Sequence, residues 1–305
     1  MILRFCARRH GRNGLWCAFV ASLASACGGH VVLGEENPYR FGVPTLVSEL
    51  AGGSENPSLT SDSLELYFTS ARPDRMGDTG GNVWVARRTG PQATFNPPID
   101  VAEVNTPDFE TSAAISADGL TLWIGSDRPG GAGLLDIWRS TRASRAATWS
   151  LPTNLPELSS PARDVPRPLG DHGRTMPLGS ERNTPDRYQT YLADRASPSD
   201  PFSSPRPIPE LNSADGSTVD GFLTDDGLTL FFSSAVGGGP ADLFLAVRAS
   251  VSEPFSHSAP LHELNTPADE RDPFLTADGS TFYFVSNRDG LLNIYQTAVI
   301  RRPGP

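Results

Sequence analysis

The chain has 305 residues, with 35 acidic against 25 basic side chains and a formal net charge of −10, which excludes a nucleic-acid partner because phosphate binding needs a basic face. Its three cysteines, Cys6, Cys17 and Cys27, all lie near the N-terminus, so neither a disulfide framework nor a thiolate metal site is available to the residues that follow. The 29 Gly and 28 Pro fall between apolar stretches and not in tracts, which marks them as turn residues of a folded chain.

Residues 1–26 read as a signal peptide. Arg4, Arg8, Arg9 and Arg12 precede an apolar run from Leu15 to Ala26, and small residues follow in Leu23-Ala24-Ser25-Ala26 before Cys27. The run is too short and too interrupted to span a bilayer. The small residues before a cysteine resemble the bacterial lipoprotein signal, with Ala24 where that signal usually has Leu. The resemblance implies lipidation of Cys27, a tether over 27–40, and an exported protein held at a membrane surface, in the outer membrane or periplasm. An ordinary signal peptide with Cys27 incidental is the alternative. The leader carries four Arg and no acid, so the remainder stands at −14.

From residue 41 onward one unit is written five times. Glu49-Leu50, Glu103-Val104, Glu157-Leu158, Glu210-Leu211 and Glu263-Leu264 follow one another at intervals of 54, 54, 53 and 53 residues. A fixed period of this order is the signature of propellers and solenoids. Each unit predicts a short strand, a turn and a second strand, as in Phe274 to Ser286, where Asp278-Gly279 marks a hairpin expected to be of type I′. Asp118-Gly119 and Asp226-Gly227 repeat that signal, while Asp62-Ser63 and His172-Gly173 vary it. The second strands, such as Leu228-Thr229-Leu230-Phe231-Phe232, are too apolar for strict alternation and predict burial on both faces. A third strand follows around Trp84, Trp138, Tyr191, Phe244 and Tyr295, and a fourth begins near Phe95, Trp149, Phe202 and Phe255. Pro166, Pro168 and Pro177 predict an irregular third unit.

Four strands per unit predict an all-β, five-bladed β-propeller over 41–300. The last unit lacks a fourth strand, and Phe41 to Leu50 is an unattached copy of one, so the N-terminal strand is expected to close the ring, leaving 301–305 as a tail.

The Asp-Gly hairpin followed by an apolar strand and Ser-x-Arg, as in Ser126-Asp127-Arg128 and Ser286-Asn287-Arg288, resembles the WD40-like propeller repeats of the TolB family of envelope proteins. The resemblance covers residues 41–300. It implies a propeller used as a partner-binding scaffold, although relatives of the repeat include peptidase propeller domains and polysaccharide lyases. No Gly-x-Ser-x-Gly nucleophile motif is present.

Each unit also supplies a carboxylate where its innermost strand is expected to open: Glu55, Glu110, Asp164, Asp220 and Asp272. Ringed around a channel mouth, they would bind a protein or envelope polymer, hold Ca²⁺ through oxygen ligands, or present an acid and a base to a sugar. Hydrolysis would need two of them about 5 to 9 Å apart over an open pocket. The competing expectation is a repeated structural ion pair with Arg72, Arg128, Arg182 and Arg288, the fourth unit having Val236 instead. The histidines are scattered, and no resident metal or other cofactor is expected. The favoured function is a non-catalytic envelope lipoprotein that binds an envelope protein or polysaccharide. A glycoside hydrolase or polysaccharide lyase, and a lectin-like module, are the alternatives.

Overall fold

The structure, a computed structural model, describes residues 37–73, 80–212 and 215–301; the leader and Cys27 lie outside them. Five antiparallel sheets, one per sequence repeat, form a five-bladed β-propeller. The N-terminal segment contributes β1 (Tyr39–Phe41) and β2 (Thr45–Leu46). Blade 1 is β3 (Ser54–Leu59), β4 (Glu65–Ser70), β5 (Asn82–Arg87) and β6 (Ile99–Asp100), and blade 2 is β7 (Glu110–Ile115), β8 (Thr121–Ser126), β9 (Asp136–Thr141) and β10 (Thr153–Asn154). Blade 3 is β11 (Asp164–Pro166), β12 (Thr175–Ser180), β13 (Gln189–Asp194) and β14 (Arg206–Pro207). Blade 4 is β15 (Gly216–Leu223), β16 (Thr229–Val236), β17 (Asp242–Val247) and β18 (His257–Pro260), and blade 5 begins with β19 (Glu270–Leu275), β20 (Thr281–Ser286) and β21 (Asn293–Arg301).

The ring closes as the missing fourth strand requires. Thr45 and Leu46 pair with Gln296 and Tyr295, and Tyr39, Arg40 and Phe41 pair with Arg301, Ile300 and Val299, so pairing takes in two residues before Phe41 and one after Ile300. Gly42 to Pro44 separates the two stretches, and Val43 there is 87% exposed. Among the described residues no helix is long and apolar enough to cross a membrane.

Second strands are buried on both faces, as their apolar runs predict. Tyr67, Phe68, Leu122, Phe231, Phe282 and Phe284 are almost wholly inaccessible, each packed between its own sheet and a neighbouring blade. The apolar members of the Glu-Leu pairs explain the period, since Leu50, Val104, Leu158 and Leu264 are fully buried while their Glu partners remain half-buried or exposed. At least two of those Glu tie the blades together: Glu210 accepts from the Phe255 amide (3.0 Å) and Glu263 from the Phe41 amide (2.8 Å).

The Asp-Gly turns are not type I′. Gly119, Gly227 and Gly279 have positive φ, but the Asp residues before them do not. The Gly119 amide donates to the Ser116 carbonyl and Asp118 accepts from the Ser116 hydroxyl and the Leu120 amide, so a type I turn held by an Asx bond precedes a left-handed Gly. A second Arg series secures these turns. Arg88, Arg142, Arg195 and Arg248 donate Nε to the carbonyls of Ser63, Gly119, Gly173 and Gly227 and lie 4.4 to 4.7 Å from the rings of Phe95, Trp149, Phe202 and Phe255. Blade 3 is the irregular one: β11 has three residues, and Asp171 and His172 both adopt positive φ in its turn.

Candidate functional site

The five carboxylates do not form one ring. Strand pairing sets Ser54, Glu110, Asp164, Thr218 and Glu270 opposite the repeated Ser70, Ser126, Ser180, Ser234 and Ser286. Glu110 and Asp164 therefore share a register with Glu270, not with Asp272. Glu55 lies one residue further along its strand, and Asp220 and Asp272 two.

In the first register the ion-pair expectation holds. Glu110, Asp164 and Glu270 are fully buried and accept from Arg128 (2.8 Å), Arg182 (2.7 Å) and Arg288 (3.1 Å). The same Arg residues donate to the carbonyls of Val104, Leu158 and Leu264 and lie over Trp138, Tyr191 and Tyr295. One guanidinium thus joins the apolar member of the Glu-Leu pair, the acid, the Ser and an aromatic ring, which is why these residues recur together. Blade 1 departs from the pattern: Arg72 meets the Ser54 hydroxyl (2.6 Å) and the Leu50 carbonyl and does not bond to Glu55.

At the second register the chain turns inward. Four innermost strands carry a β-bulge there, with Asn56, Ser112, Asp220 and Asp272 in the left-handed region at φ 56°, 54°, 62° and 49°. This conformation costs a non-Gly residue about 1–2 kcal/mol, and less for Asn and Asp, whose side chains bond locally. Blade 3 lacks the bulge and contributes Arg167 between Pro166 and Pro168. Arg167 donates to Asp272 (2.8 Å), to Asp220 and to the Asn56 side-chain oxygen. The Asn56 amide donates to the other Asp272 oxygen (3.1 Å), and the Ser233 hydroxyl to the other Asp220 oxygen. About 10 Å³ of space remains among these groups, room for a single water.

One buried guanidinium cannot compensate two buried carboxylates, and a proton makes up the difference. Burial, followed by the charge of Asp220, pushes Asp272 up to about 8 against the opposing pull of Arg167. The folded protein therefore holds a proton that the unfolded chain has released above its ordinary carboxylate range. This contribution to stability is present at acid pH and is lost as pH rises towards 8. Urea midpoints should fall over that window in the wild type, and Asp272→Asn should flatten the slope; parallel slopes would reject the assignment.

Glu55 is half-buried beside this cluster, and its carboxylate has no hydrogen-bonded partner among the described residues; burial raises it, with Arg271 opposing and Asp220 reinforcing. Arg271 pairs with Asp269 at 3.2 Å. The roomier concavities lie elsewhere. A cleft of about 350 Å³ by Leu134, Arg163 and Glu181 opens beside the β8–β9 loop of blade 2, which holds the Gly-rich stretch Pro129-Gly130-Gly131-Ala132-Gly133. An apolar funnel of about 210 Å³ lies among Leu59, Ile115, Phe222 and Phe274 by the Asp-Gly turns. Among the described residues no three His, Cys, Asp or Glu side chains converge to hold a metal.

Sequence reasoning missed Asn56, Ser112, Arg167 and the second Arg series. No family model matches the chain, and no curated protein matches it. Solved structures do. The endo-arabinase of Bacteroides thetaiotaomicron is 13% identical, covering 87% of this chain and 99% of that one, with a TM-score of 0.59. The catalytic domain of the GH62 α-L-arabinofuranosidase of Coprinopsis cinerea is 11% identical over 81% of this chain and 90% of that one, with a TM-score of 0.52. TolB from Acinetobacter baumannii is 11% identical with a TM-score of 0.47, covering 82% of this chain and 55% of that one, so this chain spans about half its length. At these identities the likeness is one of fold, which several activities share. The molecule is a five-bladed β-propeller.

Proposed function

We propose that this chain is a non-catalytic binding propeller of the cell envelope. It is exported and anchored through lipidated Cys27, and it captures an envelope protein or polysaccharide on the face that carries the loops between second and third strands, among them the Gly-rich Pro129 to Gly133 and Gly237 to Pro240. The observation that carries this reading is the sealed axis. Asp220 and Asp272 are both spent on Arg167 in a space of about 10 Å³, while Glu110 and Asp164 are spent on Arg128 and Arg182. Hydrolysis of a glycoside needs two carboxylates on either side of a sugar-sized opening, and of the five candidates Glu55 alone is left without a bonded partner among the described residues. The resemblance of the repeats to TolB-type repeats supports a scaffold. The exposed Leu134 (56%), which lines the cleft of about 350 Å³, and Leu291 (63%) give the binding face apolar anchor points.

Photo-crosslinkers at Leu134 and Leu291, with one at Leu151 between β9 and β10 as a control, test the face in the native envelope. One dominant adduct from the first two sites and none from the third is the expected result, whereas equal labelling at all three removes the assigned face. Incubation with arabinan and xylan should release no reducing ends above a no-protein blank. Release that Asp272→Asn abolishes would replace the binding reading with the hydrolytic one.

A further inference from the structure

The bulges on four innermost strands serve one geometric purpose, which is to aim short oxygen-bearing side chains at the axis. Asn56, Asp220 and Asp272 are each less than one-tenth exposed, and an oxygen of each accepts from the Arg167 guanidinium. Ser112 supports the group by donating its hydroxyl to the Asn56 oxygen at 3.3 Å. We infer that the propeller axis is a cation site to which the chain supplies its own cation, Arg167 standing among the oxygens of Asn56, Asp220 and Asp272 where a divalent ion such as Ca²⁺ would otherwise be held.

Three features argue for a cation site over an ordinary surface pair carried inward. The donor set is hard oxygen alone, two carboxylates and an amide carbonyl from three separate blades, which is the chemistry Ca²⁺ selects. Those oxygens are placed by left-handed backbone, so the arrangement is maintained at a cost in strain. The two carboxylates ask for two positive charges, of which the Arg167 guanidinium supplies one. A divalent ion would supply both. The Arg167 side chain also spans the axis from blade 3 to blades 1, 4 and 5, so it fastens the ring across its centre as a metal would.

Arg167→Ala, with the Asn56, Asp220 and Asp272 side chains intact, should create the vacant site. Titration with Ca²⁺, and with Tb³⁺ read by luminescence, should give one ion per chain for the variant, bound at least tenfold more tightly than by wild type. Thermal midpoints of the variant should rise by several degrees at millimolar Ca²⁺, by mass action on the folded state. Adding Asp220→Asn should abolish both effects. A folded variant indifferent to Ca²⁺, or a wild type that binds it equally well, would overturn the inference. A variant that folds only when Ca²⁺ is present would support it. Should Arg167→Ala not fold under any condition, the doubly substituted Asp220→Asn, Asp272→Asn protein decides. It leaves Arg167 uncompensated and should lose stability, and a wild-type midpoint would show that the oxygens do not hold the cation.

Discussion

Excision of residues 37–46 should convert a single cooperative unfolding transition into an early loss of blade 5, and the protein should associate through the uncovered edge of β21. Tyr39 and Phe41 set their rings 5.0 Å from Phe231 and Phe282, which are wholly buried in blades 4 and 5, and Arg40 pairs with Glu263 at 2.5 Å. Burying one large apolar side chain contributes roughly 1.5–3 kcal/mol. Losing Tyr39 and Phe41 with their strand pairing therefore removes a large share of the roughly 5–15 kcal/mol that holds a domain folded. Urea unfolding followed by near-ultraviolet circular dichroism, with light scattering for association, measures the outcome. A synthetic peptide spanning 37–50 should restore the midpoint in trans. A truncated protein with the wild-type midpoint would mean that β21 needs no partner.

The architecture was legible because each repeat carries its own markers. The buried Leu or Val of the Glu-Leu pair, the Asp-Gly turn and the Ser-x-Arg all recur for reasons the structure supplies, since one Arg binds the first and last of these together. The ring closure was legible too, because a lone fourth strand at one end matched a missing one at the other. The turn type was not. Counting only Asp and Gly suggested a two-residue loop, whereas the loop is longer and the Asp lies in ordinary right-handed space.

The site was only half legible, and the cause is one of alignment. Counting forward from the Glu-Leu pairs crosses loops of unequal length and merges three positions along the innermost strands. Counting back from the repeated Ser would have separated them, because Ser54, Glu110, Asp164, Thr218 and Glu270 each lie 16 residues before it. Arg88, Arg142, Arg195 and Arg248 were equally open to discovery, each standing seven residues before its aromatic. The axial cluster was not. Its bulges depend on packing between blades, and nothing local tells Ser112 to adopt positive φ. Arg167 announced itself only as an Arg flanked by two Pro in the irregular unit.

Glu65→Ala should be the most damaging single substitution at a seam between blades. Glu65 is 5% exposed in blade 1 and accepts from Arg142 of blade 2, whose side chain is 1% exposed, as well as from Arg87 at 2.9 Å. Arg142 cannot follow the lost charge outward. Its other nitrogens hold the Gly119 and Arg145 carbonyls, and its carbon lies 4.5 Å from the centre of the Trp149 ring. Removing one member of a buried pair leaves an uncompensated charge and costs about 3–5 kcal/mol. Replacing both members with apolar residues is often neutral, so Glu65→Leu with Arg142→Met should recover most of the loss, though not the clamp on the Gly119 turn. Urea midpoints of the single and double variants form the test, with amide exchange across β4 and β8 reporting whether the seam opens before the ring. A single variant within about 0.5 kcal/mol of wild type would put it among surface substitutions and show that water reaches Arg142.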